Sequence, residues 1–153
     1  MPSSLFSLER YWRTFGRTVV VLTAVAILAC QEKSPEEELL KKVEPVGSWL
    51  ATLQMLGQKW TANSVPASFV ETTVSAARKE FKKAAEETAK SKARPEVRAP
   101  LRQLVSEAEA AGAGLLRAVE AGDRPGVARQ VALLAGLHTR FESLRAPPGE
   151  GAP

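Results

Sequence analysis

Residues 101–144 read LRQLVSEAEAAGAGLLRAVEAGDRPGVARQVALLAGLHTRFESL, and this stretch decides the fold. Apolar residues recur every three or four positions on both sides of Gly122-Asp123, as one face of a helix requires. Glycine suits the left-handed position that ends a helix, and aspartate suits the N-cap of the next helix. The stretch therefore predicts two amphipathic helices joined by a tight turn. Their apolar stripes are Leu101, Leu104, Ala108, Ala111, Leu115 and Ala118, then Val127, Val131, Leu134, Leu137, Phe141 and Leu144.

Two further helices are predicted upstream, because the same spacing of apolar residues continues there. The first covers about 36–60, and Pro45 is expected to kink or interrupt it because proline lacks the amide donor. The second begins near Pro66, where Ser68 and Glu71 have the spacing of a capping box. Their stripes are Leu39, Val43, Val46, Leu50, Leu53, Leu56 and Trp60, then Val70, Val74, Ala77, Phe81, Ala84 and Thr88.

The third helix is predicted to start at Pro95, or only after Pro100, since proline is favoured in a first helical turn. Four helices with short links favour an up-down-up-down arrangement, because short links make neighbouring helices antiparallel. We therefore predict an all-α fold, an antiparallel four-helix bundle over 36–145, followed by a disordered tail, 146–153.

Three glycines, Gly112, Gly114 and Gly136, fall inside the predicted helices. Glycine in a helix interior costs up to about 1 kcal/mol relative to alanine. Close approach of two helices at these glycines would offset that cost. Alternatively, sequence drift under weak selection, in a chain rich in alanine and glycine, would explain the glycines with no close helix contact.

The N-terminal residues follow a different pattern. Three arginines precede an apolar run from Thr18 to Ala29, which ends at Cys30, the only cysteine. A basic region, a short apolar run and small residues before a cleavage site are typical of a secretory signal. The run has twelve residues, whereas a transmembrane helix needs about 20. An uncleaved signal anchor and an ordinary core helix are the alternatives.

The ending Ile27-Leu28-Ala29-Cys30 resembles the lipobox of bacterial lipoproteins. The resemblance implies that 1–29 is a cleaved signal, and that Cys30 carries a diacylglycerol on its thiol and an acyl chain such as palmitate on its new amino group. Each buried CH₂ contributes about 0.8 kcal/mol, so two or three chains hold a protein on a membrane. Gln31 stands where an aspartate would favour inner-membrane retention, which implies the outer membrane, facing the periplasm. Residues 30–35 would then form a short tether.

The charge of the chain gives no argument for nucleic acid. Three of the 21 basic residues and one of the 17 acidic residues lie in 1–29, so removing them lowers the net charge from +4 to +2. Seven basic residues against three glutamates are concentrated between Arg78 and Arg94. This patch, with Lys79, Lys82 and Lys83 at its centre, could bind anionic lipid headgroups or an acidic partner, or be a solvated helix face.

Residues 115–145 are loosely similar to cytochrome b562-like bundles: an Ala-rich helix, a Gly-Asp turn, and a helix ending Phe141-Glu-Ser-Leu-Arg145. That family binds haem between a methionine early in its first helix and a histidine late in its fourth. Here 36–44 contains no methionine, and Met55 lies near the far end of the first helix. The resemblance therefore implies the fold without the haem ligands, and we expect no cofactor.

Besides Lys79, Lys82 and Lys83, three further residues are candidates for binding. His138, the sole histidine, lies at the edge of the core stripe with Glu142 one turn later. It is either a ligand or pH-sensitive group, or a boundary residue paired with Glu142. Trp49 and Trp60 are eleven residues apart, on nearly the same side of the first helix. They either line a groove for an apolar ligand or partner helix, or belong to the core.

The sequence contains no recognisable catalytic or metal-binding pattern. Asp123 and His138 are fifteen residues apart on one predicted helix, roughly 22 Å at helical rise, which is too far for a Ser-His-Asp arrangement. Glycine-rich phosphate loops, nucleophile elbows and His-Glu-x-x-His patterns are absent. We therefore expect a non-enzymatic periplasmic lipoprotein whose bundle binds or scaffolds another envelope component. The alternative is a b562-like carrier of a small ligand or cofactor.

Overall fold

The computed structural model describes residues 34–146, and nearly all of them are helical. This part of the chain contains no strand, so the predicted all-α fold is confirmed. The predicted signal segment, Cys30 and the tail beyond Ala146 lie outside the described residues. The four helices are α1 (Pro35–Thr61), α2 (Ala67–Lys90), α3 (Pro95–Glu120) and α4 (Arg124–Arg145).

The helices pack as a bundle in which α1 and α3 each lie between α2 and α4 and also touch one another. Contacts between neighbours join an early residue of one helix to a late residue of the other. Lys42 of α1 lies 3.2 Å from Glu87 of α2, and Arg145 at the end of α4 lies 3.3 Å from Glu44 of α1. Antiparallel neighbours make contacts of this kind, which supports the predicted up-down-up-down order; that order itself stays a prediction.

The predicted apolar stripes supply the core. All of their members are buried except Trp60, Ala118, Val131 and Leu144, which are partly buried and pack against the core. Thr88 is the one buried polar side chain among the described residues, and its hydroxyl donates to the carbonyl of Ala84 at 2.7 Å. Because that bond stays within α2, the hydroxyl is satisfied without any neighbouring helix.

Two prolines lie inside helices. α1 continues through Pro45, so the predicted interruption is wrong, and α3 begins at Pro95 and continues through Pro100. Pro45 and Lys41, the residue four positions earlier, are both exposed. The Lys41 carbonyl loses its helical partner on this exposed side of α1, where water can replace the missing amide donor.

The predicted capping box at the start of α2 is wrong. α2 begins at Ala67, its N-cap residue is Pro66, and no side chain caps it. Ser68 therefore already lies inside the first turn, where its hydroxyl cannot occupy the N-cap position. Together with Glu71 it is exposed to solvent.

The turn between α3 and α4 has the predicted geometry. Gly122 has φ of 66°, in the left-handed region that glycine adopts without a steric penalty. Asp123 is the N-cap of α4, and its carboxylate accepts from the backbone N–H of Gly126 at 2.9 Å.

We expect Asp123→Ala to lower the free energy of unfolding by about 1 kcal/mol, because an orphan amide of α4 loses its partner. Urea denaturation measures the change. The matched control is Asp123→Asn, which keeps an oxygen acceptor and should remain close to wild type. An equal loss of stability in both variants would contradict the role of Asp123 as a helix cap. The loss would then be due to the negative charge of Asp123, whose Oδ2 lies 3.4 Å from Nη2 of Arg129.

Candidate binding surfaces

The outer side of α2 carries a set of exposed basic residues at helical spacing, which we call the basic face: Arg78, Lys79, Lys82, Lys83 and Lys90. Arg78 lies 3.9 Å from Glu109 of α3, and Lys90 lies 4.0 Å from Glu86. Within residues 34–146, the three central lysines form no salt bridge. The predicted patch is thus a solvated surface with three ammonium groups available to a partner.

A polar cleft of about 260 Å³ lies where α1 begins and α2 ends. Lys42 crosses it, with Nζ 2.8 Å from Glu38 and 3.2 Å from Glu87. Hydrogen bonds to both carboxylates raise the pKa of Lys42, and the Lys42 bond lowers the pKa of Glu38. The cleft is lined by Pro35, Glu38, Leu39, Lys42, Glu87, Lys90, Ser91 and Lys92.

Two further glutamates have shifted pKa values, and each has a structural cause. The backbone N–H groups of Glu36 and Arg94 and the Arg94 guanidinium lower the pKa of Glu36. Hydrogen bonds from Gln103 and then Arg140, whose Nη1 lies 2.6 Å from the carboxylate, lower the pKa of Glu107. Both carboxylates are solvent-accessible and tie separate elements together. These shifts indicate structural ion pairs, which perturb pKa values just as catalytic sites do.

Trp49 and Trp60 were predicted either to line a binding groove or to belong to the core, and the structure shows features of both. Trp49 and Trp60 are partly buried and pack against the core. Trp49 also forms one wall of an open groove of about 610 Å³ between α1 and α2. The opposite wall is polar, and consists of Ser68, Glu71, Thr72, Ser75, Ala76, Lys79 and Glu80 of α2. The groove brings Trp49 and Lys79 to one surface.

His138 lies at the edge of the core, as its spacing predicts. Its side chain is 35% exposed, and Nε2 lies 3.8 Å from the carboxylate of Glu142. Arg145 approaches the same Glu142 oxygen at 3.7 Å. The carboxylate is thus shared between two cationic groups when the histidine is protonated. His138 and Glu142 thus lie on one helix face, at a separation longer than a hydrogen bond, and the choice between a ligand and a boundary residue stays a prediction.

Three large apolar side chains of residues 34–146 are exposed, and the sequence analysis did not predict that any of them would be: Met55, Phe69 and Leu133. Each lies on a different helix, outside the apolar stripe of that helix. Their only signal is an apolar residue off the periodic pattern, which is common on protein surfaces.

Two kinds of feature are absent from residues 34–146. In residues 34–146, no three His, Cys, Asp or Glu side chains come together as metal ligands would. Among the helices of these residues, none combines the length and apolar character needed to cross a bilayer.

Comparison with known proteins gives no relative from which a function could be transferred. The chain matches no family model, and neither the curated proteins nor the solved structures contain a significant match to it. Conclusions about function therefore depend on the residues themselves.

Proposed function

We propose that this chain is a lipid-anchored protein of the bacterial cell envelope, whose four-helix bundle is a non-enzymatic binding or scaffolding module. The observation that carries the proposal is the position of Cys30. It ends an apolar run that follows three arginines, and it lies five residues before Pro35, where α1 begins. Cleavage before Cys30 would leave the helical domain directly behind the lipid. Gln31, in place of an aspartate that would favour inner-membrane retention, implies the outer membrane.

The bundle offers its outer surface, rather than its interior, to a partner. Buried leucine, valine and phenylalanine side chains fill the space between the helices. The features left for recognition are the basic face and the groove beside Trp49. A scaffold or binding module uses surfaces of this type, whereas small-ligand carriers bind inside concave, mostly apolar pockets.

The carrier alternative rests on His138, and the geometry around that residue gives it little support. The imidazole is turned to Glu142 at the bundle surface. Titration with haem tests the alternative, because a new Soret band that is lost in His138→Ala would favour a carrier over a scaffold.

We expect intact mass and membrane fractionation in a Gram-negative host to show loss of residues 1–29, added lipid and an outer-membrane location. Cys30→Ala should abolish the cleavage, the lipid and the attachment. The matched control is Gln31→Asp, which should keep the lipid and move the protein to the inner membrane. A wild-type chain that is uncleaved and carries no lipid would overturn the anchor. Turnover that survives purification and is lost in a point variant would overturn the non-enzymatic role.

A further inference from the structure

We propose that the basic face of α2 rests on anionic lipid headgroups of the membrane that holds Cys30, so that the bundle lies against the bilayer. This inference depends on the proposed lipid anchor. It adds a second membrane contact, made by side chains of the folded domain.

Charge is the first observation that supports this contact. Between Arg78 and Lys92 the exposed charged residues are six basic ones and a single acid, Glu86. The other two glutamates of this segment are half-buried on the side of α2 that faces α1. Glu87 contacts Lys42, and Glu80 lines the groove of Trp49. The outward surface is therefore strongly positive, although the chain as a whole is nearly balanced.

The second observation is the position of the tether. Lys90 and Lys92 line the same cleft as Pro35 and Leu39, so the basic face begins at the end of the bundle where the chain leads back to Cys30. Five residues extend from Cys30 to Pro35, and a fully extended chain spans at most about 3.5 Å per residue, roughly 17 Å. From Arg78 to Lys90, α2 rises by about 18 Å. The whole face is thus within reach of a membrane that holds Cys30.

The third observation concerns the kind of partner. Protein interfaces are enriched in aromatic side chains at their centres. The only aromatic residue between Arg78 and Lys92 is Phe81, which is fully buried in the core. The nearest other aromatic side chain is the partly buried Trp49, which shares a groove with Lys79 at one edge of the face. A surface of exposed lysines with no aromatic side chain at its centre suits a fluid array of phosphates better than a shaped protein. Because the anchor makes the contact intramolecular, weak attractions are sufficient.

Residue-resolved lysine labelling tests the proposal on the full lipidated chain. The chain is inserted into vesicles of phosphatidylcholine, or of phosphatidylcholine and phosphatidylglycerol in equal parts, and treated with an amine-reactive reagent. Lys59, exposed in the last turn of α1, is the reference within the same molecule. We expect labelling of Lys79, Lys82 and Lys83 to fall several-fold relative to Lys59 in the anionic vesicles only. High salt should abolish the protection, because it screens exposed charges beyond a few ångströms.

Two charge-matched variants make the test specific. Lys79→Glu/Lys83→Glu should restore labelling of Lys82 in anionic vesicles to its level in phosphatidylcholine. Arg102→Glu/Arg117→Glu changes the net charge equally at exposed positions of α3, keeps the Lys59 reference, and should leave Lys82 protected.

The outcomes distinguish this inference from the proposed function. Flotation with vesicles of phosphatidylcholine, which offer no net negative charge to the basic face, reports the lipid anchor alone, and a chain that does not float with them would overturn both proposals. A chain that floats with equal labelling in both vesicle types would overturn only the contact of the basic face. Protection seen in native membranes but not in anionic vesicles would also overturn it, and would indicate an acidic protein as the partner.

Discussion

Replacing Phe141 with alanine should lower the free energy of unfolding by about 3–5 kcal/mol. Phe141 is fully buried in α4, and its ring lies directly against Gly47 of α1. Truncation would remove apolar contacts and leave a cavity between two helices that cannot close without disturbing the rest of the core. Urea denaturation followed by far-UV circular dichroism measures the change.

The matched control for Phe141→Ala is Leu133→Ala on the same helix. Leu133 is 47% exposed, so its truncation should cost less than about 1 kcal/mol. Equal losses in the two variants would contradict the position of Phe141 in the core.

The contact with Gly47 makes a second, coupled result measurable. A methyl group at position 47 would lie 2.7 Å from Cε1 of Phe141, which is closer than real contacts allow. Gly47→Ala should therefore destabilise the wild-type chain. In the Phe141→Ala background the same change should stabilise by up to about 1 kcal/mol, because alanine favours helix and the ring is gone. Additive effects would contradict the contact between α1 and α4.

Much of the fold could be predicted from the sequence, because the signals that define it are local. The stripe from Leu101 to Leu115 and the Gly122-Asp123 turn depend on spacing and backbone preference within a few residues. Two predictions made from such local signals were wrong: the interruption of α1 at Pro45 and the capping box at Ser68. Whether a proline ends a helix depends on what replaces its lost hydrogen bond, and that is decided by solvent exposure in the folded bundle.

The candidate surfaces were predictable only where one helix supplies them. The spacing of His138 and Glu142, and that of Lys79 and Lys83, place each pair on one face without knowledge of the neighbours. The cleft crossed by Lys42 could not be predicted, because it requires the start of α1 to meet the end of α2. The helical period likewise gives the side of α1 on which Trp49 lies, but not the shape of the groove beside it.

The glycines show the same limit. A methyl group at Gly136, a candidate for close helix approach, would meet no atom of a neighbouring helix within 4 Å, and one at Gly114 would meet only the flexible side chain of Gln130. The tight contacts are instead at Gly47 and Gly57 of α1, both of which face α4. An interior glycine in a sequence cannot reveal which of these situations holds, because the difference lies in the partner helix.

Gly57→Val should therefore destabilise the protein by about 2–3 kcal/mol, despite the better helix propensity of valine. A Cβ at position 57 would lie 2.5 Å from Cγ2 of Val131 and 3.2 Å from Cδ1 of Leu115. The two further methyl groups of valine would enlarge the overlap. Relief requires α1 to move away from α4, which would open the core that these helices share. Thermal and urea denaturation measure the loss.

The identical substitution at Gly136 is the control, since a side chain there enters open space. Gly136→Val should be neutral or stabilise the protein by a few tenths of a kcal/mol, about the propensity difference between the two residues. Val131→Ala should in turn restore part of the stability lost in Gly57→Val, because it removes the atoms that overlap. A Gly57→Val variant as stable as Gly136→Val would mean that α1 and α4 do not approach closely at Gly57. The two helices would then have to be held together by side-chain packing such as that of Phe141 alone.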